Sequence, residues 1–268
     1  MEGYEPVPMT RATAAWPMTA ALMFSAACTG SDAREAPYVP SPPPVARLAE
    51  RIDTNRLNNA YRRAAELPRL RSLLVQWRGE LVGEQYFGGA TSTRRANMKS
   101  ASKSVVSALV GIAIEQGKIR DVHQTIGELL PRETRGLDSV KRAITVEDLL
   151  SMRAGLQSTS FQNYGSWVSS RNWVRNALAR PMVADAGGPM IYSTGSTHLL
   201  SAILTRNTGM STFAFARRHL AQPLGINLRP WLADPQGIYF GGNDMYLTPR
   251  EMLAFGTLYL ERGGVNGR

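Results

Sequence analysis

The feature that most constrains this chain is a strongly apolar helix that begins just after Ser100. From Ser102 to Gln116 the apolar residues cover most of the helix surface, and Gly117 marks its expected end. A helix with so little polar surface is buried, so other elements must pack around it. We therefore expect this helix to lie inside the core of a sizeable domain.

Composition agrees with one large domain and excludes several protein classes. Hydrophobic residues make up 43% of 268 residues and charged residues 19%, so the chain is not disordered throughout. No apolar run reaches the roughly 18 residues that would span a bilayer, which argues against a multi-pass membrane protein. A single cysteine, Cys28, rules out an internal disulfide and a cysteine-rich zinc site.

The net charge of +10 does not by itself indicate a nucleic-acid partner. Nearly all of the basic residues are arginines, and they are spread along the chain instead of forming a stripe. Scattered arginine is more typical of a solvated surface, so no nucleic-acid partner is predicted.

Residues 1–28 have the pattern of a secretory signal peptide. A basic residue, Arg11, precedes the moderately apolar stretch 12–27, and small residues lie directly before Cys28. This arrangement resembles the lipobox of bacterial lipoproteins, in which the cysteine is lipidated and anchors the protein to a membrane. The alternative is a plain signal peptide with an incidental Cys28. Both readings predict export to the bacterial cell envelope or periplasm.

A proline-rich stretch separates this leader from the expected folded domain. Five prolines fall within ten residues of segment 29–47, which favours an extended linker. The domain is predicted to cover 48–268. Within it, Ser72 to Phe87 predicts a β-hairpin, and further helices are expected over 145–152, 196–206, 212–220 and 248–261. The predicted fold class is α+β, with a mainly antiparallel sheet and a helical lobe.

The candidate chemistry centres on Ser100 and Lys103. Residues three apart in a helix share one face, so the lysine amine can reach the serine hydroxyl and act as its base. Exposed backbone N–H groups at the helix N-terminus favour developing negative charge. The alternative is a capping serine beside a solvated lysine. The sequence has no G-x-S-x-G, no phosphate-binding glycine loop and no histidine pair at zinc spacing, so no metal or cofactor is predicted.

Several segments resemble the serine β-lactamase/penicillin-binding-protein superfamily, and most closely its β-lactamase-related esterase and 6-aminohexanoate-dimer hydrolase branch. The resemblance runs from about Arg71 to Arg268. The segments that carry it are N-M-K-S-A-S-K-S-V-V (97–106), the hairpin L-L-V-Q-W-R-G-E-L-V-G-E-Q-Y-F (73–87), I-T-V-E-D-L-L-S-M-R-A-G-L (144–156), G-G-P-M-I-Y-S-T-G-S (187–196) and G-G-N-D-M-Y-L-T-P-R-E-M-L-A-F-G-T-L-Y-L (241–260).

The resemblance implies a role for each candidate residue. Ser100 becomes the acylated nucleophile, with its backbone N–H as half of the oxyanion hole, and Lys103 becomes the general base. Tyr192, in the second motif, would pass a proton toward the leaving group. Thr194 stands where relatives have Asn or Ser and is a candidate substrate-binding residue. Trp167 is a further candidate for the substrate pocket, although a tryptophan in a helical lobe is more often a core residue.

The family's third motif, a Lys-Thr-Gly or His-x-Gly triplet on a later strand, is missing, because no lysine follows Lys141 and no histidine follows His219. We therefore expect a domain that lacks its C-terminal strands, an open sheet edge, and poor folding or little turnover. The leading hypothesis is a serine hydrolase acting on a small ester, amide or peptide. The alternative is a catalytically impaired penicillin-binding-like envelope protein that binds cell-wall peptides.

Overall fold

A computed structural model describes residues 52–265, which form one compact unit. The proposed signal peptide 1–28, the linker 29–47 and Cys28 lie outside the described residues. The helices and strands, in chain order, are α1 (Thr54–Ala65), β1 (Ser72–Trp77), β2 (Glu80–Tyr86), β3 (Ala96–Asn97), α2 (Ser102–Glu115), α3 (Ile126–Leu129), α4 (Ser139–Arg142), α5 (Val146–Leu150), α6 (Tyr164–Val168), α7 (Trp173–Ala179), α8 (Thr194–Thr208), α9 (Thr212–Ala216), β4 (Tyr246–Leu247) and α10 (Pro249–Leu260).

The predicted hairpin is confirmed as an antiparallel pair of β1 and β2. Its turn residues Arg78 and Gly79 both have positive φ, at 50° and 85°, which is the backbone that a two-residue hairpin turn requires. The register shifts between Val75 and Gln76, so a β-bulge interrupts the ladder there. Among the described residues this sheet has only these two strands, and each strand therefore keeps one unpaired edge.

Alternate strand residues point to opposite sides, so the hairpin has two faces, and a helix packs against each face. On one face, Tyr61 of α1 lies against Gly83. On the other face, Arg250 of α10 forms an ion pair with Glu84, and Thr257 Oγ1 donates a hydrogen bond to Gln76 Oε1 at 2.6 Å. The hairpin is thereby joined to the helix that follows β4.

The helical lobe forms around α2 and α8, which pack against each other. The prediction of a buried helix over 102–116 is confirmed, since Val106, Leu109 and Val110 are completely buried. The helix expected over 196–206 is also present, but it runs from Thr194 to Thr208 and is capped by Gly209, which has a left-handed φ of 68°. The helix expected over 212–220 changes to a π-helical turn at Arg217, so only its first part is α-helical.

Two of the predicted helices begin at a capping box. Thr145 and Asp148 form a reciprocal capping box at α5, and Thr248 and Glu251 form another at α10, with Pro249 in the first turn. Between residues 52 and 265, no helix is long and apolar enough to cross a membrane.

Candidate active site

Ser100 lies in a single 3₁₀ turn, Lys99–Ala101, directly before α2. Lys99 has a left-handed φ of 51°, and the carbonyl oxygen of the Asn97 side chain accepts a hydrogen bond from its backbone N–H at 2.8 Å. The Asn97 amide in turn donates to Asp244 Oδ1 at 2.6 Å. The strand that contains Asn97, β3, also pairs with β4, which follows Asp244 in the chain. Ser100 is therefore exposed on a backbone that is fixed from both sides.

The structure brings the three predicted catalytic side chains together. Tyr192 Oη donates to Ser100 Oγ at 2.7 Å, and Lys103 Nζ donates to the same oxygen at 3.3 Å. Lys103 Nζ also lies 5.0 Å from the centroid of the Tyr192 ring. The serine oxygen thus has two groups within hydrogen-bonding distance that can exchange protons with it.

Burial changes the electrostatics of Lys103. Because the side chain is largely removed from water, burial lowers the pKa of Lys103, and the nearby Tyr192 only partly opposes that effect. Lys103 Nζ also donates to the carbonyl oxygen of Gly242 at 2.7 Å. A neutral amine is more accessible here than on a solvated lysine, as a general base requires.

Opposing effects act on Tyr192. Burial on its own raises the pKa of Tyr192, but the hydrogen bond that the Ser100 hydroxyl can donate to the phenolate and the neighbouring Lys103 ammonium outweigh it, so the net direction is downward. A phenol with a lowered pKa gives up its proton more readily at neutral pH. Tyr192 is therefore suited to pass protons between Lys103 and a group bound at Ser100.

Sequence reasoning missed the part played by Gly241 and Gly242. Gly242 supplies the carbonyl that accepts from Lys103, and a Cβ at this position would stand 3.0 Å from Lys103 Nζ and 2.9 Å from Thr194 Cγ2. At Gly241 a Cβ would meet the backbone of Thr197. Two adjacent glycines before a polar turn were the available signal, because such a pair often marks a close approach of two backbones.

Thr194 does not offer a free hydroxyl to a substrate, which corrects the prediction made for it. Its side chain is buried at the start of α8, and its Oγ1 is hydrogen-bonded to Ser160 Oγ at 2.9 Å. The same serine oxygen accepts from the Thr194 backbone N–H at 2.9 Å. Thr194 therefore fixes the loop at Ser160 to the segment that carries Tyr192.

The prediction that Trp167 lines the substrate pocket is wrong in this structure. Its side chain is 0% exposed, and its Nε1 donates to the carbonyl oxygen of Trp173 at 2.9 Å. The ring packs against Trp173, His198 and Phe240. Trp167 is a core residue because the helical lobe closes around its aromatic ring and satisfies its only donor internally.

Behind the glycine pair lies a buried pair formed by His198 and Asp234. His198 Nε2 and Asp234 Oδ2 are 3.1 Å apart, and His198 Nδ1 accepts from the backbone N–H of Gly241 at 3.4 Å. Burial lowers the pKa of His198, and the nearby Asp234 only partly opposes that effect. Because Nδ1 accepts from the Gly241 N–H, Nε2 is the nitrogen that donates to the carboxylate. This pair supports the backbone from which Gly242 reaches Lys103.

Comparison with known proteins assigns the family. The beta-lactamase family matches residues 71–268, which is most of the chain. The chain belongs to the beta-lactamase family. This membership confirms the resemblance drawn from the sequence motifs and the α+β fold class. No curated protein matches this beta-lactamase family member.

Solved structures of low sequence identity share the fold. A protein assigned as a 6-aminohexanoate-dimer hydrolase from Bacillus anthracis is 20% identical with a TM-score of 0.62, over 79% of this chain and 58% of that one. The octameric penicillin-binding protein homologue from Pyrococcus abyssi is 17% identical with a TM-score of 0.60, over 80% and 57%. EstCE1, a hydrolase with promiscuous acyltransferase activity, is 18% identical with a TM-score of 0.64, over 82% and 75%.

This beta-lactamase family member spans less than two thirds of the first two of these solved relatives. The part of the chain that the structure describes brings no three His, Cys, Asp or Glu side chains together around a point that could hold a metal ion. The candidate site therefore consists of the side chains of Ser100, Lys103 and Tyr192 and the backbone carbonyl of Gly242.

Proposed function

We propose that this chain is a serine hydrolase that forms an acyl-enzyme on Ser100 and cleaves an ester or amide bond. The observation that carries the proposal is the position of Ser100 Oγ, 2.7 Å from Tyr192 Oη and 3.3 Å from Lys103 Nζ. A lysine whose pKa is lowered by burial is the base that such a serine needs.

In the proposed acylation step, neutral Lys103 takes the proton of Ser100 as Oγ bonds to the substrate carbonyl carbon. The carbonyl electron pair moves onto its oxygen, and the Ser100 backbone N–H is proposed as one donor to that oxyanion. When the tetrahedral species collapses, the bond to the leaving group breaks and Tyr192 supplies the proton. The Lys103 ammonium then returns a proton to Tyr192, so the three groups end in their starting protonation states.

In the proposed deacylation step, a water molecule attacks the ester formed on Ser100. Lys103 and Tyr192 remove the water proton and return a proton to Ser100 Oγ, which leaves as the acid product forms. Two small barriers thus replace one large barrier. The substrate class is proposed from the fold relatives, which include an assigned 6-aminohexanoate-dimer hydrolase and the hydrolase EstCE1.

A second candidate function is an impaired penicillin-binding-like envelope protein that binds cell-wall peptides. The observation that favours it is the engagement of Thr194 by Ser160, which leaves no free side chain at that motif position to hold a substrate amide. Similarity to the Pyrococcus abyssi penicillin-binding protein homologue also supports this candidate. It predicts that Ser100 is acylated by penicillin and that the acyl-enzyme persists.

The sequence pattern around Cys28 motivates a proposal on location: the protein is exported and anchored in the cell envelope by a lipid on Cys28. Growth with radiolabelled palmitate, followed by isolation of the protein, tests this. Label on the wild type that disappears in Cys28→Ala is expected, and an unlabelled wild type would overturn the lipid anchor.

The test of the hydrolase proposal is the reaction of the full chain with a fluorophosphonate ester, followed by intact mass. We expect a gain of one probe, lost in Ser100→Ala and Lys103→Ala and kept in Ser107→Ala, the matched control, because Ser107 is an exposed serine on α2, the helix that carries Lys103. A folded protein that gains no mass would overturn the proposal. A parallel reaction with fluorescent penicillin, read as a lasting adduct, distinguishes the second candidate.

A further inference from the structure

Phe161 stands out beside the candidate site because it is both exposed and held in an unusual backbone conformation. Its side chain is 73% exposed, and its φ is 54°, in the left-handed region. Bulky residues seldom adopt that region, and a fully apolar ring gains nothing from contact with water. A residue kept in this state suggests a use for the ring at the surface.

Hydrogen bonds on both sides of Phe161 impose this conformation. Before it, Ser158 Oγ donates to the carbonyl oxygen of Tyr192 at 2.6 Å, and Ser160 Oγ is bound to Thr194. After it, the Asn163 amide donates back to the carbonyl oxygen of Ser158 at 2.9 Å. The loop is therefore closed on itself and fixed to the chain segment that carries Tyr192.

The ring of Phe161 lies next to the ring of Tyr192. Their centroids are 5.9 Å apart with an interplanar angle of 46°, a separation at which aromatic rings contact each other. Tyr192 Oη in turn lies 2.7 Å from Ser100 Oγ. Phe161 is thus connected to the nucleophile through a single intervening side chain, that of Tyr192.

We propose that Phe161 is a specificity-determining residue that binds an apolar leaving group of the substrate. The inference rests on the proposed function, in which Tyr192 protonates the leaving group. The leaving group must then lie beside Tyr192, and the ring of Phe161 contacts the ring of Tyr192. The substrate class is accordingly an ester or amide whose alcohol or amine part carries an alkyl or aryl substituent. Burial of that substituent against the ring removes apolar surface of both partners from water.

The test compares benzyl acetate with methyl acetate, because benzyl alcohol and methanol are leaving groups of similar basicity. We expect Phe161→Ala to lower kcat/KM for benzyl acetate about tenfold, the size of one lost aromatic contact, and to change methyl acetate by less than about twofold. Phe161→Leu should keep an intermediate preference. The ratio of methyl butyrate to methyl acetate reports on the acyl side and should not change.

The other possible results would contradict the inference, and they can be told apart from one another. Equal losses for benzyl and methyl acetate would show that Phe161 only supports Tyr192. A changed butyrate-to-acetate ratio would place the ring on the acyl side. An unchanged benzyl preference, with fluorophosphonate labelling of Ser100 intact, would refute the role of Phe161 and leave the hydrolase proposal standing. A wild type that neither labels nor turns over either ester overturns both.

Discussion

Replacing Gly242 with alanine is expected to impair Lys103 while leaving the hydrophobic core unchanged. The added methyl group would stand 3.0 Å from Lys103 Nζ, 2.5 Å from Thr197 Oγ1 and 2.9 Å from Thr194 Cγ2. Gly242 is not among the positive-φ residues of the chain, so alanine is compatible with its backbone conformation. The expected defect therefore comes from lack of space alone.

The magnitude follows from how far the neighbours can move. Overpacking of a well-packed site costs about 1–3 kcal/mol. Thr197 Oγ1 is held by a hydrogen bond to the carbonyl oxygen of Thr194 at 3.0 Å, so Lys103 and the Gly242 carbonyl are the groups free to move apart. If that strain displaces Lys103 from Ser100, the acylation rate falls by about 5- to 150-fold.

The assay is the rate of fluorophosphonate labelling at Ser100, measured together with the thermal unfolding midpoint. Gly111→Ala is the matched control, because Gly111 lies on α2 with Lys103 and a Cβ there meets no atom within 4 Å. We expect slow labelling in Gly242→Ala and normal labelling in the control. Wild-type labelling by Gly242→Ala with an unchanged midpoint would refute the argument that the Gly242 backbone positions Lys103.

Three further predictions concern stability and pH. Arg95→Met removes the charged partner of Glu251, which accepts from Arg95 at 2.8 and 2.9 Å but keeps hydrogen bonds from the Thr248 and Asn227 backbone N–H groups. We therefore expect a loss of about 1.5–3 kcal/mol in urea unfolding, and a loss below about 0.5 kcal/mol would contradict it. Because burial lowers the pKa of Lys103, the labelling rate should rise with pH and level off below 10.5, whereas a rate still rising at pH 10.5 would show an ordinary lysine. Because burial lowers the pKa of His198, the unfolded chain binds its proton first, so stability should fall as the pH drops below the ordinary value of 6.5 toward the native pKa. The thermal unfolding midpoint at pH 5 and at pH 7.5 measures this change in stability. His219→Gln is the control, because burial also lowers the pKa of His219. If the difference between the two midpoints vanishes in His219→Gln, the effect belongs to His219 and not to His198.

Several features of this protein are determined by neighbouring residues, and these could be predicted from the sequence. The helix after Ser100 follows from its dense apolar pattern, and the starts of α5 and α10 follow from capping side chains three residues away. The proximity of Lys103 to Ser100 is likewise set by helical spacing. Local hydrogen bonds and helix geometry act over a few residues, so they can be read directly from the order of the residues.

The position of Tyr192 could be anticipated only through the family motif, since 92 residues separate it from Ser100. The tertiary structure alone decided which backbone reaches Lys103, because Gly242 lies 139 residues further along the chain. It also decided that Trp167 is buried and that the Thr194 hydroxyl is engaged by Ser160. A side chain has the same local sequence whether it faces a pocket or the core, and only the packing of distant segments chooses between them.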